Sequence, residues 1–141
     1  MKEIDTPELH LILHNDIRQI PQLAGFVEAI ALEAHLDQSL AMSLNLALEE
    51  AVTNVILYAY PPGSDGLVDI EAVIRAHSVE FIVSDSGKPF DPTSTPPADI
   101  DAPLEDRPIG GLGIHLVMHI MDSVTYRWQD GKNYLIMTKK I

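Results

Sequence analysis

The sequence predicts an α/β (α+β) two-layer sandwich, in which a mixed, mostly antiparallel sheet carries helices on one face. Three observations lead there. Two segments of helical periodicity follow one short strand, alternating strand patterns recur in pairs in the middle and at the end of the chain, and a proline-rich stretch sets the last helix apart. The expected order is β-α-α-β-β-loop-α-β-β, which lets strands that follow one another pair antiparallel.

Leu9 to His14 is short and strand-like, with Leu9, Leu11 and Leu13 on one side and His10, Ile12 and His14 on the other. Asn15 or Asp16 suits a helix N-cap, and Ile17, Ile20, Ala24, Val27, Ala31 and Ala34 then recur at helical spacing, with Pro21 tolerable near the first turn. A second stripe, Leu40, Leu44, Ala47, Ala51, Val55 and Tyr58, predicts a helix from about Asp37 to Tyr60, which the turn residues at 61–66 end. Val68, Ile70, Ala72 and Ile74 alternate with polar neighbours as a half-buried strand, and Val79 to Ser84 makes another.

Lys88 to Pro108 carries prolines at 89, 92, 96, 97, 103 and 108 and several acids, a density that no regular element survives. A lid over about 88–109 is the expectation. Gly113 to Met121 reads as a helix with Ile114, Val117, Met118 and Met121 on one face. Val124, Tyr126 and Trp128 then alternate as a sheet-packing strand, and Asp130-Gly131 is a two-residue hairpin turn into Tyr134 to Lys140.

Composition narrows the function. With 141 residues and 46% hydrophobic content, a single domain over 1–141 is the simplest reading. There is no Cys, so disulfides and thiolate metal ligands are excluded. The first ten residues lack a basic start followed by an apolar core, and no stretch reaches the roughly 18 uninterrupted apolar residues of a membrane span, so a soluble, cytoplasmic protein without a membrane partner is expected. A net charge of −12 repels a phosphate backbone, which argues against nucleic acid. Any phosphate ligand would then need Mg²⁺, backbone amides or helix N-termini to supply positive potential locally.

Three places could hold such a ligand. Glu50 and Asn54, at i and i+4 on the second helix, project from the same face, whereas Glu49 is rotated by roughly 100° from Glu50. An acid and an amide there could take a proton from a hydroxyl and ligate Mg²⁺, although a solvated helix face gives the same pattern. Asp85 ends an apolar run and could accept a hydrogen bond from the exocyclic amine of adenine. Gly87 beside it would admit a base or a backbone closely, and Asp85-Ser86-Gly87 is equally good turn material. Gly110, Gly111 and Gly113 open a helix whose unpaired N–H groups suit phosphates, or form a hinge and N-cap. Arg107, just before them, could reach a phosphate or stand exposed on the loop. Neither a P-loop nor a G-x-G-x-x-G fingerprint occurs.

In this order, and with the proline-rich loop between the last two, the motifs resemble those of the GHKL ATPase superfamily with its Bergerat, or histidine kinase-like ATPase, fold. The resemblance is greatest to the small anti-sigma factor serine/threonine kinases of bacterial partner-switching systems, and it spans essentially the whole chain. Glu50-Ala51-Val52-Thr53-Asn54 resembles the N-box, Asp85-Ser86-Gly87 with Phe90-Asp91-Pro92 the first glycine box, and Gly110-Gly111-Leu112-Gly113 the second. The resemblance implies ATP as cofactor with adenine recognised by Asp85 and close approach at Gly87. It also implies Mg²⁺ ligation by Asn54, general-base work by Glu50, and phosphate contacts from Gly110, Gly111 and Gly113. Two departures stand out: Pro89 replaces a second glycine of the first box, and the supporting threonine of a late strand is not evident, since Lys132 and Asn133 follow Gly131. Support for Asp85 must then come from elsewhere.

The expected function is transfer of a phosphoryl group from Mg·ATP to a serine or threonine of a STAS-type anti-anti-sigma protein, with a sigma factor as second partner and a homodimer suggested by the family. A non-catalytic, ATP-gated binding module is the alternative, and a histidine-kinase-like catalytic domain a weaker one, because no phosphoacceptor helix is visible. His115 and His119 share a helix face and His10 and His14 a strand face, but no further ligands complete a metal set around either pair.

Overall fold

The computed structural model describes residues 8–94 and 111–141, with the backbone alone at Glu8, Gly111 and Leu112. Strand β1 (Glu8–His14) is followed by a 3-10 turn (Ile17–Gln19), helix α1 (Gln22–Ala34) and helix α2 (Gln38–Asn54), whose last turn widens into a π-helical segment (Val55–Ala59). Then come β2 (Leu67–Ile74), β3 (Ser78–Asp85), a 3-10 turn (Pro92–Ser94), α3 (Gly111–Ile120), β4 (Ser123–Gln129) and β5 (Lys132–Lys140).

The five strands lie in the order β1-β2-β3-β5-β4, and every neighbouring pair is antiparallel, a simpler sheet than the mixed one expected. The chain leaves β3 next to the position β5 will fill, crosses by α3 to the edge, runs along it as β4 and returns as β5 through Asp130-Gly131. Both turn residues have positive φ, 52° and 77°, the backbone that matches strand twist in a two-residue hairpin.

Strict alternation decides which sheet face the helices cover. In β2, Val68, Ile70, Ala72 and Ile74 are buried, and in β3 Val79, Phe81 and Val83 follow the same rule and end on buried Asp85. Leu135 and Met137 complete the face from β5, and Leu13 from β1. Against it pack Leu23, Val27 and Ile30 of α1, Leu44, Leu48 and Val52 of α2, and Ile114 and Val117 of α3. Each fully buried aliphatic side chain contributes about 1.5–3 kcal/mol of apolar transfer, so this shared core holds the two layers together.

Asp37 caps α2 by accepting from Leu40 N at 2.8 Å. The continuous helical rod Gln38–Ala59 is long and apolar enough to cross a membrane by length and composition, yet its apolar side is the one that forms the core.

Three expectations shift. Asp16 caps the 3-10 turn, not α1, which begins after Pro21; the phase of α1 therefore changes, and its buried face is Leu23, Phe26, Val27 and Ile30, while Ile17 and Ala24 are exposed. Met118 is also exposed, because the contact face of α3 is Ile114, Val117 and Met121. Trp128 lies on the edge strand and is exposed.

Candidate functional site

A small cavity of about 10 Å³ lies where the C-terminal end of α2 meets the ends of β3 and β5. Asn54, Val83, Asp85, Phe90, Tyr126 and Asn133 are among its walls. Alternation along β3 sends Asp85 to the helix-covered face, so a carboxylate is buried to 4% exposure at a strand end. Gly87 N and Asn133 Nδ2 both donate to its Oδ1 at 2.9 Å, the first as an Asx-type turn, the second across the β3–β5 ladder in which the two residues are directly paired. Oδ2 has no hydrogen-bond partner among the described residues, which leaves a pure acceptor for a ligand's donor. Burial pushes the Asp85 carboxyl above its ordinary pKa, and the bonds from Asn133 and Gly87 pull it back in part.

Asn54 is the other buried polar group of the pocket, at 5% exposure. Its Nδ2 has no partner among the described residues. An unpaired buried amide costs about 1–3 kcal/mol, and such groups concentrate where a ligand or ion completes them. The amide ends α2 where the backbone passes into the π-helical turn, a distortion frequent at functional positions. An amide can be turned over without changing its shape, so it can offer oxygen as well as nitrogen, and oxygen is what a hard cation takes.

One turn earlier, the Glu50 carboxylate lies against the start of α3: a Cβ placed on Gly113 would stand 2.2 Å from Glu50 Oε1. Glycine there is what lets the acid sit at the helix's positive end. Glu49 points elsewhere and accepts from Asn45 Nδ2 at 3.2 Å, as the rotation about the helix requires. The close approach at Gly87 is to the protein's own backbone. A Cβ there would meet the Ala59 carbonyl oxygen at 2.3 Å, and Lys88 N donates to that same oxygen at 2.8 Å, so the glycine lets the π-helical turn and the β3 exit lock together.

Among the sequence candidates, the structure brings Asn54 and Asp85 into one pocket, Gly87 N onto the carboxylate of Asp85, and Glu50 to Gly113. Gly111 starts α3, while Arg107, Gly110 and the part of the expected lid from 95 to 109 lie outside the described residues. Sequence reasoning missed Asn133, whose side chain does what the absent threonine was expected to do. The only signal was its place two residues after Gly131 on a late strand. Tyr58 was read only as part of the second helical stripe, yet its ring lies 5.4 Å from that of Phe90 and its hydroxyl is buried without a partner among the described residues.

The histidines take separate roles. His10 pairs with Asp69 on the outer face and His14 lies 3.7 Å from Asp65. No group of three metal-binding side chains forms around these or any other residues among those described.

The profile of the histidine kinase-like ATPase domain matches residues 13–139. The serine-protein kinase RsbW of Listeria monocytogenes is 32% identical over 119 residues, covering 82% of this chain and 75% of the relative. The serine/threonine-protein kinase BtrW of Bordetella bronchiseptica is 29% identical over 113 residues, 80% of either chain. A crystal structure of the RsbU and RsbW domains of a Mycobacterium tuberculosis protein superposes with a TM-score of 0.67 over 95% of this chain and 32% of that one; at 17% identity it is a likeness of fold. Buried Asp85 at the strand end, Asn54 across the pocket and Glu50 one turn away are thus the local geometry of a chain that belongs to the histidine kinase-like ATPase domain family.

Proposed function

We propose that this protein is an anti-sigma factor serine/threonine kinase, which binds Mg·ATP and phosphorylates a serine or threonine of a STAS-type anti-anti-sigma protein. The observation that carries the reading is the carboxylate of Asp85, buried, anchored through Oδ1 and without a partner at Oδ2 among the described residues, in a cavity it shares with Asn54. Adenine presents an amine where Oδ2 needs a donor, and guanine presents a carbonyl oxygen there. The named relatives of similar length, serine and serine/threonine kinases, supply the reaction class.

In this reading Glu50 accepts the proton of the acceptor hydroxyl as the new O–P bond forms and the bond from the γ-phosphorus to the ADP oxygen breaks. Asn54 would hold Mg²⁺ through its amide oxygen, where the ion would supply charge neutralisation for the phosphates. The N–H groups of Gly111 and Gly113 at the start of α3 offer phosphate contacts, and the family resemblance adds Gly110 and, as a further cation, Arg107. A sigma factor is the competing partner, the protein works in the cytoplasm, and a homodimer is its functional form. The test is incubation with Mg·ATP and a STAS-domain protein, with phosphoserine or phosphothreonine read by mass spectrometry. Transfer by the wild type and none by Glu50→Ala, with ATP binding intact, is expected. Full transfer by Glu50→Ala overturns the base assignment, and no transfer by the wild type despite ATP binding favours a non-catalytic, nucleotide-gated module.

A further inference from the structure

Asn133 is 4% exposed and stands on β5 directly opposite Asp85. Its side-chain amide has two N–H groups and two acceptor positions, and all are used. Nδ2 donates to Asp85 Oδ1 at 2.9 Å and to the Lys88 carbonyl at 2.8 Å, while Oδ1 accepts from Phe90 N at 2.9 Å and from the Tyr126 hydroxyl. The orientation is therefore fixed: turned over, the amide would set oxygen against the Asp85 carboxylate and the Lys88 carbonyl, and N–H against Phe90 N–H.

Two different parts of the pocket meet at this one group. Asp85 is the carboxylate available to a base. Residues 88–90 begin the loop whose Phe90 and Pro92 wall the pocket, and Phe90 in turn packs on Tyr58 of the π-helical turn. We propose that Asn133 is the positioning residue that sets base selectivity, because a single amide fixes both the carboxylate that reads the base and the loop that walls it in. The inference rests on the adenine-binding reading above and extends it to a residue outside the expected motif set.

Asn133→Asp isolates the donor half of the amide. The new carboxylate still accepts from Phe90 N and Tyr126, but it faces Asp85 Oδ1 and the Lys88 carbonyl with oxygen. Two carboxylates so placed repel one another or bridge a single proton through Asp85 Oδ1, and either way Asp85 loses the fixed, ionised orientation that turns Oδ2 to the amine of adenine. Tyr60 and Tyr126 also face Asp85, and burial raises both phenols above their ordinary range, so they stay neutral. The control is Asn133→Thr, whose hydroxyl restores one donor towards Asp85.

The experiment is calorimetric titration of Mg·ATP and Mg·GTP into the full chain and these variants, with thermal unfolding alongside. Asn133→Asp should lower the ratio of ATP to GTP affinity at least tenfold, and Asn133→Thr should recover part of it. A purely structural Asn133 would lower the melting temperature and leave the ratio unchanged, which overturns this inference while the adenine site stands. A wild type that binds no adenine nucleotide overturns both.

Discussion

The carboxylate of Glu50 rests on the α-carbon of Gly113, so that a single methyl added to α3 would displace an acid on α2. The displaced atom is the far end of a flexible side chain, and alanine is the better helix residue. Gly113→Ala is therefore expected to change unfolding free energy by no more than about 1 kcal/mol in either direction. Phosphoryl transfer should fall at least tenfold, because the base has moved from its working position. Thermal unfolding and a transfer assay on the same preparation check both halves.

Gly87 presents the opposite case. A Cβ there would meet the Ala59 carbonyl group itself, with oxygen at 2.3 Å and carbon at 2.7 Å, and backbone cannot swing aside. Gly87→Ala should part the π-helical turn from the exit of β3, lose the Lys88 N to Ala59 O bond and cost about 1–3 kcal/mol. A lowered midpoint in urea with an unchanged slope is the expected result.

Asp85 makes stability and binding depend on pH in opposite senses. Its folded pKa lies above 3.8, so between 3.8 and the folded value the native state holds more protons than the unfolded one, and stability falls as pH rises through that window. Asp85→Asn removes the cost of burying the charge and keeps an oxygen for Gly87 N and Asn133 Nδ2. At pH 7 it should be no less stable than the wild type. Adenine affinity of the wild type should instead fall as pH drops through the folded pKa, where Asp85 gains its proton; calorimetry across an acid pH series reads this directly.

Much of the fold was legible because β-strand burial has a period of two: Val68 to Ile74 and Val79 to Val83 announce both the strand and its buried face. Asp130-Gly131 announced its turn through chemistry that few other residues share. The phase of α1 was not legible, since it depends on whether Asp16 caps a 3-10 turn or the helix itself, and Pro21 suits either. Within the site, Glu50, Asn54 and Asp85 could be singled out because each lies at a recognisable spacing. Asn133 could not, since its partners at 85, 88, 90 and 126 are set by cross-strand register and a loop path, which no local pattern encodes.

In the proposed function the pocket reads adenine through Asp85. Calorimetric titration of Mg·ATP and Mg·GTP into the wild type and Asp85→Asn tests it most directly. Asparagine would turn a donor towards the amine of adenine, so selective ATP binding by the wild type, weakened at least tenfold in the variant, is the expected result. Equal binding of the two nucleotides by the wild type, or undiminished ATP affinity in Asp85→Asn, would contradict it.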